Sequence, residues 1–368
     1  MCFFVFFFLI TFLAAAFHPC TAAAEAFFLY SWLHGGALTP PPFFSDWNIV
    51  DPNPCNWTSV TCSPQGFVTG IIIRSVPLHL PLPRNLSTLG SLRKLVVSDS
   101  NLTGAIPPNI GDCAGLTAID LSSNGLVGDI PRSLGKLRNL QTLLLNTNQL
   151  SGRIPPELSN CSGLRNIFLF ENLLEGTIPP ELGSLSNLES LRAGVNSALH
   201  GEIPPELGEC SNLGFLGLAG TSVSGSIPAS LGQLSKLHSL SIYTTMVSGE
   251  IPPELGNCSG LVNLSLFENR LSGWIPRELR DLRNLEKLLL WQNNLIGAIP
   301  AGLGDCGRLK SIDLSMNFLS GTIPPSIGNL PELEEFMISD NNISGSIPAD
   351  LGDCKNLVQL ELDSNQLS

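Results

Sequence analysis

The chain has 368 residues, a formal net charge of −12 at pH 7 and only 14% charged residues. A chain this acidic lacks the basic face that contacts nucleic-acid phosphates, so we exclude a general nucleic-acid binder. Hydrophobic residues make up 43% of the sequence, which is enough for a large core. Length alone would allow two or three compact domains.

The first 24 residues have the composition of a secretory signal. Cys2 to Phe17 is almost wholly apolar, and Ala22 and Ala24 have the spacing of small residues at a signal-peptidase site. The apolar run is shorter than the ~20 residues that a membrane-spanning helix needs. We therefore predict a cleaved signal over residues 1–24, a mature chain without an anchor of its own, and an oxidising compartment.

An Ile-Pro pair recurs through most of the chain at steps of 24 residues, with one step of 25. Each unit carries the pattern L-x-x-L-x-L-x-x-N-x-L, of which residues 140–150 are a clean copy. A fixed period with this pattern indicates leucine-rich repeats. We predict an α/β solenoid, a plant-type horseshoe of about 13 repeats over residues 67–368, with the last repeat incomplete.

The spacing inside each repeat predicts its local structure. Leucines two residues apart predict a short strand with Leu buried, and strands of successive repeats stack in parallel along the concave face. Gly and Pro in the following S-G-x-I-P-x-x-L-G segment turn the chain back. The recurring asparagine, Asn148 for example, is expected to bond turn backbone from a buried position, and Ser100, Thr221 and Thr245 occupy the same slot.

Residues 25–66 precede the repeats and are expected to cap the N-terminal end of the core. Residues 27–33 predict a short helix. Trp47 and Trp57, together with Cys55 and Cys62, form the predicted lid, and the two cysteines are expected to form a disulfide in a secreted protein.

Six further cysteines recur at two-repeat steps. Two repeats correspond to about 10 Å of stacking, beyond the ~7 Å Cα separation that a disulfide allows. They share their slot with leucine in alternate repeats, so we interpret them as buried small hydrophobes rather than metal ligands. These cysteines are Cys113, Cys161, Cys210, Cys258, Cys306 and Cys354.

Asn-x-Ser/Thr sequons are typical of a secreted glycoprotein. They occur at Asn56, Asn85, Asn101, Asn160, Asn257, Asn263 and Asn342. The sequence contains no phosphate-binding glycine loop, kinase motif or zinc-protease motif, and we predict no catalytic residue, metal or cofactor in this chain.

Three positions per repeat are expected to project from the concave face: the residue inside L-x-L and the two residues that follow. Tyr243, Phe267 and Trp291 occupy one column in three successive repeats, which predicts a contact surface. Gly217, Ala219 and Gly220 leave one repeat bare of large side chains, which suggests close approach of another backbone.

Arg192 is the only basic residue in these three columns, among several acids. Either it pairs with Glu171 of the neighbouring repeat, or its guanidinium binds an anionic group of a ligand. A charge-assisted bond of that kind contributes about 1.5–3 kcal/mol. An extended peptide of about ten residues would cover the roughly 34 Å from Arg192 to Asp363.

The repeat and the cap sequence around Trp57 resemble plant receptor-kinase ectodomains. Residues 31–34, 240–252 and 334–340 are similar to receptors for root meristem growth factor peptides, in subfamily XI of the receptor-like kinases. The resemblance implies a plasma-membrane receptor with a cytoplasmic Ser/Thr kinase in the full-length protein. It also implies that the ectodomain binds a secreted tyrosine-sulfated peptide and recruits a co-receptor kinase of the somatic-embryogenesis type.

The family's R-x-G-G motif, which meets the sulfotyrosine start of the peptide, falls on residues 192–195. Arg192 and Gly194 match the motif, and Val195 replaces its second glycine. The family's R-x-R motif for a peptide C-terminus has no match. The predicted ligand-binding residues are Arg192, Gly194, Gly217, Ala219, Gly220, Ser241, Tyr243, Phe267, Trp291, Asp313 and Met337.

The sequence ends at Ser368, inside a repeat, and this favours a truncated product or gene fragment with an open core edge. The preferred hypothesis is a peptide-hormone receptor ectodomain for growth and development signalling, on the extracellular, apoplastic side of the plasma membrane. Two alternatives stay open: a secreted inhibitor of cell-wall polygalacturonase, and a soluble decoy that captures peptide without signalling.

Overall fold

The computed structural model describes residues 22–35, 42–48 and 53–368. The predicted signal lies outside the described residues except for Ala22 to Ala24, which begin the helix Ala22–His34. That helix contains the predicted 27–33 segment and is longer at its N-terminal end. Among the described residues, no helix combines the length and apolar character needed to cross a bilayer.

A long sheet of fourteen strands runs along the described repeats and forms the concave face. Its first two strands pair antiparallel, and all later neighbours pair in parallel. The thirteen parallel strands confirm the predicted repeat number. The strands are Val60–Cys62, Val68–Arg74, Lys94–Ser98, Ala118–Asp120, Thr142–Leu144, Asn166–Phe168, Ser190–Arg192, Phe215–Gly217, Ser239–Ser241, Asn263–Ser265, Lys287–Leu289, Ser311–Asp313, Glu335–Met337 and Gln359–Glu361.

A second set of parallel strands follows the turn in every repeat after the first, which the leucine spacing did not predict. Three strands pair first: Thr103–Ala105, Gly125–Asp129 and Gln149–Ser151. A bridge from Arg153 to Glu175 leads on to the other nine. These are Glu175–Gly176, Ala198–Glu202, Ser222–Gly225, Met246–Gly249, Arg270–Trp274, Asn294–Ala298, Phe318–Thr322, Asn342–Gly345 and Gln366–Leu367.

Short 3₁₀ helices follow each Ile-Pro pair and close the repeat on the side away from the long sheet. Proline at the start of many of these helices is suited to that position, where no amide donor is needed. They are Pro108–Asp112, Arg132–Lys136, Pro156–Asn160, Pro180–Ser184, Pro205–Glu209, Ala229–Gln233, Pro253–Asn257, Arg277–Asp281, Ala301–Asp305, Pro325–Asn329 and Ala349–Asp353. Shorter ones cover Pro42–Phe44, Pro54–Asn56 and Leu86–Thr88. The leucines and isoleucines of all layers form one continuous buried cluster.

The recurring asparagines are buried or half-buried and bond backbone of two repeats, as predicted. Asn172 donates to the carbonyl oxygens of Leu145, Leu169 and Phe170, and its own oxygen accepts from the Leu150 amide at 3.0 Å. Each such amide satisfies backbone groups that would otherwise be buried without a partner. Thr221 makes only one comparable bond, to the Leu218 carbonyl at 2.7 Å.

The cap covers the first repeat through its aromatic residues and its disulfide. Cys55 and Cys62 form the predicted bridge. The Trp47 and Trp57 rings stack 5.4 Å apart, and the Trp32 indole donates to the Pro81 carbonyl at 2.8 Å. The cap therefore packs onto the repeats through both apolar and polar contacts.

The six repeat cysteines are free and buried, which confirms the interpretation of their spacing. Burial raises the pKa of the Cys161 and Cys258 thiols to about 11. The Cys258 thiol lies 3.2 Å from the Leu231 carbonyl of the preceding repeat and donates to it. A protonated, buried thiol of this kind is a poor nucleophile, so these residues act in packing.

Candidate functional site

Strand pairing brings the first predicted column into one row across the long sheet. The row runs Phe168, Arg192, Gly217, Ser241, Ser265, Leu289, Asp313, Met337 and Glu361. Alternate residues of a strand point to opposite faces, and the apolar residue that precedes each row position is buried in every strand except the last, where Leu360 is exposed. The row is therefore the open face of the long sheet, and Arg192, Gly217, Ser241, Asp313 and Met337 share it.

Arg192 lies between two aromatic rings. Its guanidinium carbon is 4.8 Å from the centroid of Phe168 and 4.0 Å from that of Phe215. The rings hold the planar group by cation–π contact and remove part of its hydration. Burial lowers the pKa of Arg192 from its ordinary value, which is far above neutral, so the group stays charged.

No carboxylate of the described residues forms an ion pair with Arg192. The alternative partner Glu171 instead accepts a hydrogen bond from the Thr147 hydroxyl at 2.7 Å. The Arg192 Nε donates a hydrogen bond to the Ser190 hydroxyl at 3.4 Å. Of the two alternatives for Arg192, the ion pair with Glu171 is absent from the described structure, and the guanidinium is oriented without being neutralised.

Phe215 belongs to this site although the three predicted columns did not include it. It stands one residue before the buried leucine of its strand, and Arg192 occupies the position after the leucine of the previous strand. Both positions face the same side because strand side chains alternate. Strand parity in the sequence would have placed Phe215 on the open face.

The small residues beside Arg192 are required by contacts within the chain. A Cβ atom on Gly217 would lie 2.7 Å from the Phe215 ring, and one on Gly194 would lie 2.7 Å from the Ala219 carbonyl oxygen. At Gly194 the close neighbour is the backbone of the next repeat, and over Gly217 it is the Phe215 ring. The suggestion from the sequence that Gly217, Ala219 and Gly220 admit the backbone of another chain stays a prediction.

The third predicted column lies in a left-handed turn after each strand rather than in the strand. Val195 has a φ of +53° and Gly220 a φ of +67°. A β-branched residue is rare in this conformation because its side chain crowds the backbone. The Val195 side chain is 57% exposed and lies close to Gly220.

The predicted aromatic column forms a stack. Tyr243 and Phe267 lie 4.2 Å apart between ring centroids, and Phe267 and Trp291 lie 4.7 Å apart with an interplanar angle of 10°. The rings cover one another's faces, so the stack offers ring edges along its length and an open ring face at each end. Within the described parts of the chain, no further ring stacks on the outer face of Tyr243 or Trp291.

The sequons lie mainly on exposed positions. Asn56, Asn85, Asn101, Asn160, Asn257 and Asn342 are exposed, whereas Asn263 is half-buried in the long-sheet strand Asn263–Ser265. A glycan on Asn263 would project onto the open face. Among the described residues, no group of three or more His, Cys, Asp or Glu side chains has the geometry of a metal site.

Comparisons with known proteins identify the repeat type. The leucine rich repeat family matches residues 90–150 and 307–367, and the leucine rich repeat N-terminal domain family matches residues 28–63. The receptor-like kinase RGI2 of Arabidopsis thaliana is 56% identical over 95 residues, which are 25% of this chain and 8% of that protein. RGI1 of the same plant is 59% identical over 82 residues, or 22% of this chain and 7% of that protein.

The chain has a leucine-rich-repeat fold and is similar to the RGI receptor kinases. Its fold matches the solved plant peptide hormone receptor RGFR1 in complex with RGF2, at 48% identity and a TM-score of 0.82. That match covers 85% of this chain and 49% of the other. The receptor kinase HAESA of Arabidopsis, solved with the peptide IDA and the co-receptor SERK1, is 31% identical with a TM-score of 0.63, covering 94% of this chain and 66% of the other.

The leucine-rich-repeat chain spans only part of these relatives. The solved RGFR1 chain is about twice as long as the matched part, and the matched segments of RGI2 and RGI1 are small fractions of those proteins. The families that match these 368 residues are repeat families, and the kinase of the full-length homologues lies outside them.

Proposed function

We propose that the open face of the long sheet binds an extended secreted peptide as the ectodomain of a plant receptor-like kinase. The observation that carries the proposal is Arg192, a charged guanidinium held between Phe168 and Phe215 with no ion-pair partner in the described chain. A cation fixed in this way has its orientation set before a ligand arrives, so less entropy is lost on binding. Similarity to receptors solved with the peptides RGF2 and IDA supports the same conclusion.

The anionic group that fits Arg192 best is a sulfate on a tyrosine ring. A guanidinium forks onto two oxygens of such an anion. The sulfated ring would lie on the open face beside Arg192, where Gly194, Gly217 and Ala219 add no large side chain of their own. The remainder of the peptide would pass the edges of the stack formed by Tyr243, Phe267 and Trp291. Backbone carbonyl oxygens suit ring edges, which carry partial positive charge.

The cellular location and the partner kinase follow from the same function. We propose that residues 1–24 direct the chain into the secretory pathway and that the solenoid acts on the extracellular side of the plasma membrane. A co-receptor kinase with leucine-rich repeats, of the somatic-embryogenesis type, would join the full-length protein once peptide is bound, as SERK1 is found with HAESA and IDA.

Replacing Arg192 with alanine should weaken binding of a sulfated peptide by about 10–150-fold, the equivalent of a charge-assisted bond of about 1.5–3 kcal/mol. Isothermal titration of the mature domain with a tyrosine-sulfated peptide and its unsulfated twin measures this directly. The wild-type protein should prefer the sulfated form, and Arg192→Ala should bind the two forms equally.

Arg132→Ala is the matched control because Arg132 is an exposed arginine on a 3₁₀ helix away from the open face. It should leave both affinities unchanged. Equal binding of the two peptides to the wild-type protein would reject the sulfate assignment. Unchanged binding by Arg192→Ala would reject Arg192 as the anchor.

Val195→Gly should stabilise the fold and strengthen sulfopeptide binding. Glycine adopts a φ of +53° without strain, whereas a left-handed β-branched residue costs about 1–2 kcal/mol, partly offset by the ~0.5–1 kcal/mol of glycine chain entropy. Removing the exposed Val195 side chain also leaves more room for a peptide beside residues 192–194. Urea unfolding and peptide titration measure the two effects.

Gln292→Gly tests the same turn position with an unbranched residue at a φ of +53°. It should gain less stability than Val195→Gly, since glutamine is less crowded in this conformation. A Val195→Gly protein that is no more stable than Gln292→Gly would show that the valine is unstrained.

A further inference from the structure

Beyond the aromatic stack, the residues of the open face become small and acidic. The column of Tyr243, Phe267 and Trp291 continues with Ser315 and Ser339. Because serine is small, this stretch of the open face, here called the floor, stands lower than the aromatic stack. Carboxylates surround this floor on the neighbouring strands and their following turns. They are Asp313, Glu335, Glu361 and Asp363.

Trp291 presents one open ring face to this floor. Phe267 covers its other face at 4.7 Å between centroids. The following repeat lies directly alongside, since the Gln292 amide donates to the Ser315 carbonyl at 2.9 Å and the Leu290 amide donates to the Asp313 carbonyl at 2.8 Å. The position next to Trp291 is thus a serine, and no ring of the described residues is found stacked on that side.

The carboxylates of this region are held by hydroxyl and amide groups rather than by cations. Asp313 accepts from the Ser315 amide at 3.0 Å, Glu335 accepts from the Ser311 hydroxyl at 2.6 Å, and Asp363 accepts from the Ser339 hydroxyl at 2.6 Å. No ion pair reaches Asp313, Glu335, Glu361 or Asp363 within the described parts of the chain.

The local charges are unbalanced. Burial raises the pKa of Asp313; hydrogen bonds from Ser315 oppose the rise, and the nearby Glu361 and Glu335 charges add to it. Lys310 is already engaged by Glu286 at 2.9 Å. Lys287 lies on the strand beside Ser311, and its single charge does not offset the carboxylates.

An open indole face beside unneutralised carboxylates is the arrangement that attracts a cationic side chain. We propose that this end of the open face, formed by Trp291, Asp313 and Glu361, receives an arginine of the bound peptide. The planar guanidinium would stack on the indole and donate to the Asp313 carboxylate, which a compact ammonium does less well. The inference deepens the proposed function and rests on it.

The strand spacing fixes where that arginine must stand in the peptide. Arg192 and Asp313 lie five strands apart in one row, or about 24 Å at the spacing of parallel strands. An extended chain covers that distance in about seven residues. The peptide is therefore anionic at one end and cationic about seven or eight residues later, which sets its direction along the face.

The test uses synthetic peptides with one sulfotyrosine near the N-terminus, an otherwise uncharged sequence, and one arginine moved through positions four to twelve residues further on. Each peptide has a twin with citrulline, which keeps the shape and lacks the charge. Titration of the wild-type mature domain should show the tightest binding with arginine seven or eight residues beyond the sulfotyrosine. The citrulline twin should bind about tenfold more weakly there.

Asp313→Asn should remove the difference between arginine and citrulline while the preference for sulfate persists. Asp281→Asn, on a 3₁₀ helix away from the open face, is the control. It should change neither the difference between arginine and citrulline nor the preference for sulfate. If Asp313→Asn disturbs folding, as thermal unfolding would show, Glu361→Gln replaces it, because Glu361 is exposed. The Glu361→Gln variant should also discriminate arginine from citrulline less strongly than the wild-type protein does.

The outcomes separate the two proposals. Sulfate preference with equal binding of arginine and citrulline at every position overturns the arginine subsite and leaves the proposed function standing. Discrimination of arginine from citrulline without sulfate preference leaves the subsite standing and rejects the sulfate assignment of the proposed function. Discrimination that survives both Asp313→Asn and Glu361→Gln places the cation elsewhere and overturns this assignment.

Discussion

Replacing Gly208 with alanine should destabilise the solenoid by about 3 kcal/mol or more, because one methyl group would be forced into a neighbouring backbone. Gly208 lies in the 3₁₀ helix Pro205–Glu209, and a Cβ atom there would be 2.5 Å from the Ser230 carbonyl oxygen and 2.7 Å from its carbonyl carbon. The obstacle is backbone, which cannot rotate away as a side chain would. The two repeats would have to separate locally.

Gly352 provides a matched control in the same chain. It occupies the equivalent Leu-Gly position in the 3₁₀ helix Ala349–Asp353, and nothing in the described structure lies within 4 Å of a Cβ atom built there. Gly352→Ala should be neutral or slightly stabilising, since alanine loses less entropy than glycine on folding. Urea unfolding followed by circular dichroism compares the two variants, and equal stabilities would contradict the packing argument.

Replacing Asn196 with alanine should lower the free energy of unfolding by about 3–5 kcal/mol, because several buried backbone groups would lose their partner together. The fully buried Asn196 amide donates to the carbonyls of Leu169, Ala193 and Gly194 at 2.9–3.2 Å, and its oxygen accepts from the Leu174 amide at 3.0 Å. Two of these carbonyls belong to the segment that carries Arg192. Peptide affinity should therefore fall together with stability.

Asn187→Ala is the control for the loss of one amide. Asn187 is exposed and donates only to the Ser162 carbonyl at 2.9 Å in the described structure, where water can replace it. The expected cost is below about 1 kcal/mol, typical of a surface change. A solenoid can unfold in segments, so the comparison is best made by hydrogen exchange of amides in the affected repeat. Similar losses of protection in the two variants would exclude the asparagine ladder as a main stabilising element.

Several features of the site could be predicted from the sequence, because residues 24 positions apart lie side by side on adjacent strands. The position of Arg192 on the open face, the contiguous Tyr243, Phe267 and Trp291, and the alternation of Cys258 with leucine all follow from that period. In a solenoid each residue's neighbours are set by the repeat length. A globular protein without repeats gives no comparable rule.

Other features depended on side-chain directions that the period does not specify. The sandwich of Arg192 between Phe168 and Phe215 depends on the rotamers of three long side chains, and so does the direction of Glu171, which accepts from the Thr147 hydroxyl. The left-handed turn at Val195 became visible only with backbone angles. Each of these depends on contacts between repeats, which a one-dimensional pattern does not resolve.

The sequence by itself determined the solenoid, the number of its repeats, the disulfide of the cap and the burial of the six cysteines. The solenoid and the cysteine burial follow from apolar spacing, since only a stack of repeats buries leucines placed in this way. The disulfide follows from two neighbouring cysteines in a chain with a secretory signal. Tertiary structure alone decided that the guanidinium of Arg192 is clamped yet unneutralised, and that an open indole face adjoins the unpaired carboxylates around Asp313. Those properties are differences of a few ångströms between side chains of adjacent strands, and packing between repeats sets them.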